Sequence, residues 1–234
     1  MNTIPRKTPI KLVKSPLSEQ AYEELKRQIL DRELLPAEHL NIDALSRACG
    51  ISTSPLREAL ARLTAEGLVA FAANTGFSVE AVPDAEKMRQ MMAFRLLMEA
   101  DCARIGAARR DPVALGALQR AQATMVALRQ SGITYREHRT YIELEQAFHQ
   151  TIVDSAGNQM IANAYRGLHL ILAVSRLSVV AGSNQVGSDS AMAEHDAIVA
   201  AFAAGDGARA EAAVRGHLDG AAARMAAVPG QAPA

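Results

Sequence analysis

The 234-residue chain lacks several features that mark specialised classes of protein. Its two cysteines, Cys49 and Cys102, match no metal or redox spacing, so a disulfide framework is excluded and both are expected to be small buried side chains. The 25 basic and 25 acidic residues cancel, which excludes a general affinity for polyanions. No signal segment is evident, and no apolar run approaches the ~18 residues that span a bilayer. We therefore expect a cytoplasmic protein that makes no contact with a membrane.

Aromatic residues are also scarce, because tryptophan is absent and phenylalanine and tyrosine number only five and four. Alanine is frequent instead, and its small side chain allows helices to pack closely. From residue 83 onwards the apolar spacing is helical and is interrupted only by short breakers. Six helices with short connections predict an antiparallel bundle over residues 83–228, with a frayed tail at 229–234. The predicted helices cover residues 84–109, 113–130, 134–155, 159–180, 189–204 and 206–226.

Residues 41–67 have the pattern of two short helices joined by a tight turn. Asn41 suits the N-cap of the first helix, and Gly50 can adopt the left-handed conformation that ends it. Ser54 and Pro55 are expected to begin the second helix, since serine accepts from free backbone N–H groups and proline loses no hydrogen bond there. Such a pair is typical of the helix-turn-helix motif, whose second helix enters the major groove of DNA. From the spacing alone, an ordinary helical hairpin remains the alternative.

A further helix and a hairpin flank this pair. Apolar residues recur at helical spacing after a Ser18 cap, and two short runs with strand character follow residue 67. The helix is predicted at residues 18–33, and the strands at 68–71 and 77–82. Three helices followed by a hairpin predict a winged helix-turn-helix domain over residues 17–82. The side chains expected to contact DNA are Arg47, Thr53, Ser54, Arg57, Arg62, Thr75 and Gly76.

The segment before this domain, residues 1–16, carries four basic residues ahead of any acidic one. They are Arg6, Lys7, Lys11 and Lys14. We predict a flexible basic arm, which either contacts DNA or is a solvated tail.

Particular motifs resemble a known family. The runs PLREAL at residues 55–60 and RLTAEGLV at 62–69 resemble the signature of the GntR-family regulators. The second half resembles the ligand-binding (FCD) domain of the FadR-type branch, through Arg95-x-x-x-Glu99, Phe148-His149, Glu194-His195 and His217. The resemblance spans roughly residues 17–225. It implies a mainly α protein, with a winged helix-turn-helix followed by a six-helix FCD-like bundle that binds a ligand and forms the dimer.

This sequence departs from the family pattern at three places. Thr53 stands where family members often carry arginine, and Asn74-Thr75 stand where the wing often has a basic residue. Glu145 replaces the usual aspartate four residues before the first histidine of the motif. The operator sequence and the metal preference are therefore expected to differ from those of typical members.

Glu145 and His149 are four residues apart, so they project from the same face of a helix. His195 and His217 fall on the last two predicted helices. Taken singly, each histidine has the alternative of being a solvated or ordinary core residue. The resemblance implies that all four residues meet in the bundle core. One carboxylate and three imidazoles suit a borderline divalent ion, with zinc first and nickel or manganese behind it.

The resemblance also directs Arg95 towards the ligand pocket, where its guanidinium would bind a carboxylate. The alternative is a surface ion pair between Arg95 and Glu99. In the pocket, Glu99 would orient Arg95 rather than touch the ligand. Arg176 is a second candidate for binding a carboxylate of the ligand, and the alternative is that it is simply a charged residue on the helix surface.

These features predict a metabolite-responsive transcription regulator, most simply a repressor. A homodimer would bind an inverted-repeat DNA operator, and a small carboxylate effector would be sensed at the metal site. A metal-dependent enzyme that acts on a small organic acid is one alternative, although no HExxH motif is present and no acid or base stands beside the ligands. A DNA-binding protein with a purely structural metal is the other.

Overall fold

The computed structural model describes residues 16–130, 135–166 and 187–226. Within these ranges the chain forms nine helices and three short strands. The helices are α1 (Pro16–Leu30), α2 (Ile42–Cys49), α3 (Thr53–Ala65), α4 (Ala85–Arg109), α5 (Pro112–Gln130), α6 (Tyr135–Ser155), α7 (Gln159–Arg166), α8 (Asp189–Ala204) and α9 (Gly207–Ala226), and the strands are β1 (His39–Leu40), β2 (Val69–Ala72) and β3 (Gly76–Val79). This order confirms the predicted fold class, a winged helix-turn-helix followed by a helical bundle.

Helices α2 and α3 form the predicted helix-turn-helix. Asn41 caps α2 by accepting a hydrogen bond from the backbone N–H of Ala44 at 2.9 Å, and Gly50 ends it in the left-handed region at φ 65°. The predicted start of α3 was wrong, because the helix begins at Thr53 after Ser52. Pro55 is tolerated as its third residue, since the first N–H groups of a helix have no intrahelical acceptor in any case.

The wing is a three-stranded antiparallel sheet with the order β1-β3-β2. Its hairpin pairs Phe71 with Phe77, and the turn closes where the N–H of Thr75 donates to the carbonyl of Ala72. The second strand of the hairpin, β3, ends at Val79, three residues before the end of the predicted strand at residue 82. Sequence reasoning missed β1, which exists only through its pairing with β3.

The core of this N-terminal part combines α1, α3 and the sheet. Leu56, Leu60 and Leu63 on α3 are fully buried and pack against Tyr22 and Leu25 of α1. Helix α1 begins at Pro16 and ends at Leu30, so it starts and stops two to three residues earlier than predicted.

The predicted burial of the two thiols was right for one and wrong for the other. Cys102 is buried in α4, whereas Cys49 is exposed. None of the eight residues of α2 is fully buried, and the helix contacts the core only through Ile42 and Leu45. Cys49 lies at the last position of this short helix, beside the Gly50 cap.

Helices α4 to α9 form the bundle, in which α4 contacts α6, α8 and α9. Asp84 caps α4 by accepting from the N–H of Lys87 at 2.7 Å. Small residues permit close packing: a Cβ atom on Gly106 of α4 would overlap the Ser155 side chain of α6. Five of the six predicted helices match the structure to within one residue at each end, while α7 is described only as far as Arg166.

Several predictions fall on residues that the structure does not describe. They are Arg176, the continuation of the fourth bundle helix over 167–180, the tail at 229–234 and all but the last residue of the arm at 1–16. The domain boundary at residue 82 also stays a prediction. Among the described helices, none combines the length and apolar character needed to cross a membrane.

Candidate metal centre and candidate nucleic-acid interface

Three helices bring the four predicted metal ligands together in the bundle. Glu145 and His149 come from α6, His195 from α8 and His217 from α9. Each offers one ligand atom, and these atoms all lie within 4.8 Å of one another. All four side chains are buried. The helical spacing of Glu145 and His149 explains half of the cluster, and the packing of α8 and α9 against the bundle supplies the rest.

The chemistry of this cluster fits a divalent ion. The Nε2 atoms of His149 and His217 are buried and have no hydrogen-bond partner among the described residues. A buried polar atom without a partner costs free energy, and coordination to a metal would remove that cost. The carboxylate of Glu145 lies 3.8 Å from Nε2 of His149, which adds a negative charge to a set of nitrogen ligands.

The other nitrogen of each ring lies near an oxygen atom. The Nδ1 of His149 is 2.7 Å from Oε2 of Glu99, and that of His217 is 2.9 Å from Oε2 of Glu194. The Nδ1 of His195 is 3.2 Å from Oε1 of Gln122. Every histidine of the cluster therefore has an oxygen acceptor behind it.

Burial makes the neutral form of His149 the stable one. Burial lowers the pKa of His149 to about 4, and this effect outweighs the opposing attraction of Glu99. Imidazole must be neutral to coordinate a metal, so His149 is ready to act as a ligand at neutral pH without losing a proton.

Arg95 and Glu99 form an ion pair in the core, not on the surface. Their side chains are 1% and 0% exposed, and Nε of Arg95 is 2.6 Å from Oε1 of Glu99. The hydroxyl of Tyr165 donates to the same carboxylate oxygen. Burial opposes the charge on both members, but their mutual attraction keeps the pKa of Glu99 well below and the pKa of Arg95 above the usual range. The surface-pair alternative was wrong, and both groups are charged at neutral pH.

One nitrogen of the Arg95 guanidinium has no hydrogen-bond acceptor among the described residues. This atom, Nη2, is buried. Glu99 thus fixes the Nε side of Arg95 and also contacts the metal-ligand candidate His149. The Glu99 carboxylate therefore bridges Arg95 and His149, and the unsatisfied donor of Arg95 lies close to the histidine cluster.

A groove of about 220 Å³ opens between the helix-turn-helix and the wing. Arg57 of α3 lines one side, and Phe71 and Gly76 of the hairpin line the other. The ring of His39 donates from Nε2 to the carbonyl of Thr75 at 2.7 Å, which ties the turn of the hairpin to β1. Arg57 and Thr75 are exposed, so they are accessible to a double helix laid across this face.

Of the other residues predicted to contact DNA, Arg47 and Ser54 are exposed, and Thr53 is half-buried. Arg62 differs from them because its guanidinium already has partners within the protein. It lies 2.9 Å from Glu19 and 3.3 Å from Glu66, and it stacks 3.5 Å from the centre of the Tyr22 ring. Arg62 therefore links α3 to α1, a contact that the helical periodicity of α3 alone could not indicate.

Two family models match the chain. The model described as bacterial regulatory proteins, gntR family, matches residues 17–79, and the FCD domain model matches residues 90–220. The chain belongs to the GntR family and carries an FCD domain. The predicted resemblance is confirmed.

Relatives of this GntR-family protein are regulators. The HTH-type transcriptional regulator LutR of Bacillus subtilis (strain 168) is 27% identical over 208 residues, covering 81% of this chain and 92% of LutR. YdhC of the same organism, also an HTH-type transcriptional regulator, is 24% identical over 176 residues, covering 75% of this chain and 76% of YdhC. The chain is a transcription regulator, and the alternative of a metal-dependent enzyme was wrong.

Solved structures share the fold of this regulator. E. coli McbR/YncC has a TM-score of 0.72 at 18% identity, covering 91% of this chain and 98% of that one. A transcriptional regulator GntR from Rhodococcus sp. RHA1 also has a TM-score of 0.72, at 21% identity, covering 90% of this chain and 98% of that one. At these identities the likeness shows the architecture alone.

Four residues of the FCD domain contribute to the site without having been assigned that role. Glu194 directly precedes a predicted ligand, which was a signal that the motif itself offered. Gln122, Tyr165 and Arg224 gave no such signal, since their contacts depend on how distant helices pack. Only a spatial arrangement, not a spacing, could have identified them.

Proposed function

We propose that this GntR-family protein is a repressor that binds an inverted-repeat operator as a homodimer and senses a small carboxylate at a divalent-metal site. The observation that carries the proposal is the buried cluster of Glu145, His149, His195 and His217 beside Arg95. Repression is the simplest mode of action for a regulator of this kind. We also propose that the protein acts in the cytoplasm.

Glu145, His149, His195 and His217 are the residues that would hold the ion. Zinc is the first candidate because the donor set is rich in nitrogen, and nickel and manganese follow. Once bound, the ion supplies an open coordination position for an effector carboxylate. Glu145 would supply a carboxylate oxygen as a ligand, and the three imidazoles would supply nitrogen ligands.

Arg95 is the proposed partner for an anionic group of the effector. Its Nη2 is buried and faces no described acceptor, while Glu99 holds the Nε side of the same guanidinium. A carboxylate oxygen that reached Nη2 would form a charge-assisted hydrogen bond in a site with little water. Arg176 remains a second candidate, although it lies outside the described residues.

For DNA binding, we propose that α3 enters the major groove while the turn at Thr75-Gly76 approaches the neighbouring backbone. Arg57 is the side chain best placed for this role, because it is exposed and lines the groove between α3 and the wing. Thr53 and Ser54 lie in the first turn of the same helix. Arg47 would add contacts with phosphates, and we expect a smaller contribution from Arg62 because of its internal ion pairs.

We propose that two copies of the chain form a dimer through their FCD domains. Leu97 on α4 and Met160 on α7, two helices that contact one another, are 77% and 80% exposed, and we propose that these apolar side chains contribute to the contact between the two chains. Two helical domains joined by a two-fold axis would present two winged domains to the halves of an inverted repeat. An effector must favour one arrangement of these domains to change DNA binding, with a coupling of about 1–3 kcal/mol.

The test uses the full-length protein. Metal analysis comes first, followed by binding to the DNA upstream of its own gene in the presence of gluconate, malate or succinate. His195→Ala should lose the metal and the response to acids together while it keeps DNA affinity, because His195 lies in the helical bundle and not in the winged part. If the metal stays bound but no acid changes DNA binding, the metal is structural and the sensing proposal is wrong.

A further inference from the structure

The three histidines of the cluster share one arrangement of their Nδ1 atoms. His149 on α6 faces Glu99 on α4, and His217 on α9 faces Glu194 on α8. His195 on α8 faces Gln122 on α5. In each case the oxygen comes from a different helix than the histidine. The contact therefore fixes both the ring and the packing of two helices.

These contacts determine which nitrogen of each ring carries the proton. A carboxylate accepts hydrogen bonds and does not donate them, so His149 and His217 must hold their protons on Nδ1. A neutral ring protonated at Nδ1 has its lone pair at Nε2, the atom that a metal would take. The same assignment holds for His195 when the Gln122 amide oxygen faces it.

We propose that Glu99, Gln122 and Glu194 are positioning residues that fix the three histidines in the Nδ1–H tautomer, which puts the lone pair of each ring on Nε2, the atom that would bind a divalent ion. This inference rests on the proposed metal site. None of the three residues is a ligand itself. Their role is to hold the three imidazole rings in one orientation in the metal-free protein, so that less side-chain conformational entropy is lost when a metal binds.

Each of the two carboxylates is in turn held by an arginine. Arg95 contacts Glu99, and Arg224 contacts both oxygens of Glu194, at 2.8 Å from Nη1 and 2.8 Å from Nη2. Two parallel hydrogen bonds restrict the Glu194 side chain to one orientation. Glu194 is thus a fixed acceptor for the Nδ1–H of His217.

A glycine on α9 makes room for this acceptor. A Cβ atom on Gly220 would lie 2.7 Å from Oε1 of Glu194 and 3.0 Å from Nη1 of Arg224. One helical turn earlier, a Cβ atom on Gly216 would meet nothing within 4 Å. Alanine at residue 220 therefore displaces Glu194, whereas alanine at residue 216 displaces nothing. Both substitutions favour the helix, because alanine has the higher helix propensity.

This pair of glycines gives a test that separates positioning from damage to the fold. Full-length wild type, Gly220→Ala and Gly216→Ala are stripped of metal and titrated with zinc against a chromophoric chelator. We expect Gly220→Ala to lose about 10- to 100-fold in zinc affinity, as is typical when the partner of a ligand histidine is disturbed. Gly216→Ala should stay within about twofold of wild type, because nothing in the cluster moves. The melting temperature of metal-free Gly216→Ala should equal or exceed that of wild type, and that of Gly220→Ala should stay close to it, because the helix propensity of alanine offsets the disturbed contacts of Glu194.

A spectroscopic readout tests the tautomers directly. Long-range ¹H–¹⁵N spectra of the histidine-labelled, metal-free protein should show His149, His195 and His217 protonated at Nδ1. Glu194→Ala should convert His217 alone into a mixture of tautomers and leave His149 unchanged. Glu211→Ala, which removes an ion pair with Arg215 elsewhere on α9, is the matched control and should change neither ring.

Two results would overturn the inference: protonation of His217 at Nε2 in the wild type, or full zinc affinity in both Gly220→Ala and Glu194→Ala. If the wild type binds no zinc, the proposed metal site fails by itself. The tautomer spectra, which need no metal, then still decide whether the three acceptors fix the rings.

Discussion

The buried Arg95–Glu99 pair predicts a large loss of stability when Arg95 is replaced by alanine. Both side chains are almost completely inaccessible to water. Removal of the guanidinium leaves the Glu99 carboxylate in the core with two described donors, the Tyr165 hydroxyl and Nδ1 of His149. Loss of one partner from a buried ion pair costs about 3–5 kcal/mol in the free energy of unfolding. Because two donors remain, we expect about 3 kcal/mol.

The loss should depend on pH in a defined direction. In the wild type the pKa of Glu99 is depressed, because Arg95 and His149 together outweigh the opposing effect of burial. Its stabilisation is therefore complete above the unfolded-state pKa of about 4.3 and is lost only as pH falls through the lower folded-state pKa. In the variant the arginine no longer offsets burial, and we expect burial to outweigh the remaining contact with His149, so that the pKa of Glu99 rises above that of the unfolded chain. The variant must then lose stability as pH rises, and its deficit should be larger at pH 8 than at pH 5.

Urea unfolding of the metal-free proteins, followed by far-ultraviolet circular dichroism at pH 5 and pH 8, measures both quantities. Arg95→Met combined with Glu99→Gln is the control, since it removes both charges but keeps an amide oxygen for His149. This double variant should recover most of the loss. A deficit below about 1 kcal/mol at pH 8, or one that is equal at both pH values, would refute the electrostatic reasoning.

Three further predictions concern DNA binding and assembly. Arg57→Ala should weaken binding to the operator by about 1–3 kcal/mol without changing the melting temperature, and an affinity within twofold of wild type would exclude Arg57 from the interface. Gly76→Val should weaken the same binding, because φ at this residue is 78° and the turn needs close backbone approach; unchanged affinity would mean that the wing does not dock on DNA. Sedimentation of fragments should find 83–226 dimeric and 1–82 monomeric, and a monomeric helical fragment would place the two-fold contact elsewhere.

Local signals in the sequence predicted most of the fold. Caps at Asn41 and Asp84 and the left-handed Gly50 act within a few residues, so the helices that they bound were located closely. The start of α3 was missed because Pro55 is compatible with several positions in a first helical turn. Strand β1 was missed because two residues pair only when β3 is already in place.

The candidate site likewise contains residues that local signals predicted and residues that only the packing of helices brings together. The i,i+4 spacing on α6 and the family motifs identified the four metal-ligand candidates. The partners behind them follow from packing: Gln122 reaches His195 across 73 residues of sequence, and Tyr165 reaches Glu99 across 66. The exposure of Cys49 likewise depends on how little of α2 the core covers. Such contacts are set by the arrangement of helices, which no local spacing encodes.

The central claim is that a small carboxylate is sensed at a metal held by Glu145, His149, His195 and His217. The most direct measurement combines metal analysis with thermal-shift titration of the full-length protein by gluconate, malate and succinate, before and after treatment with a chelator. The account predicts about one divalent ion per chain and at least one acid that raises the melting temperature only while the metal is bound. A chain without metal, whose response to the acid is the same after chelation, would contradict it.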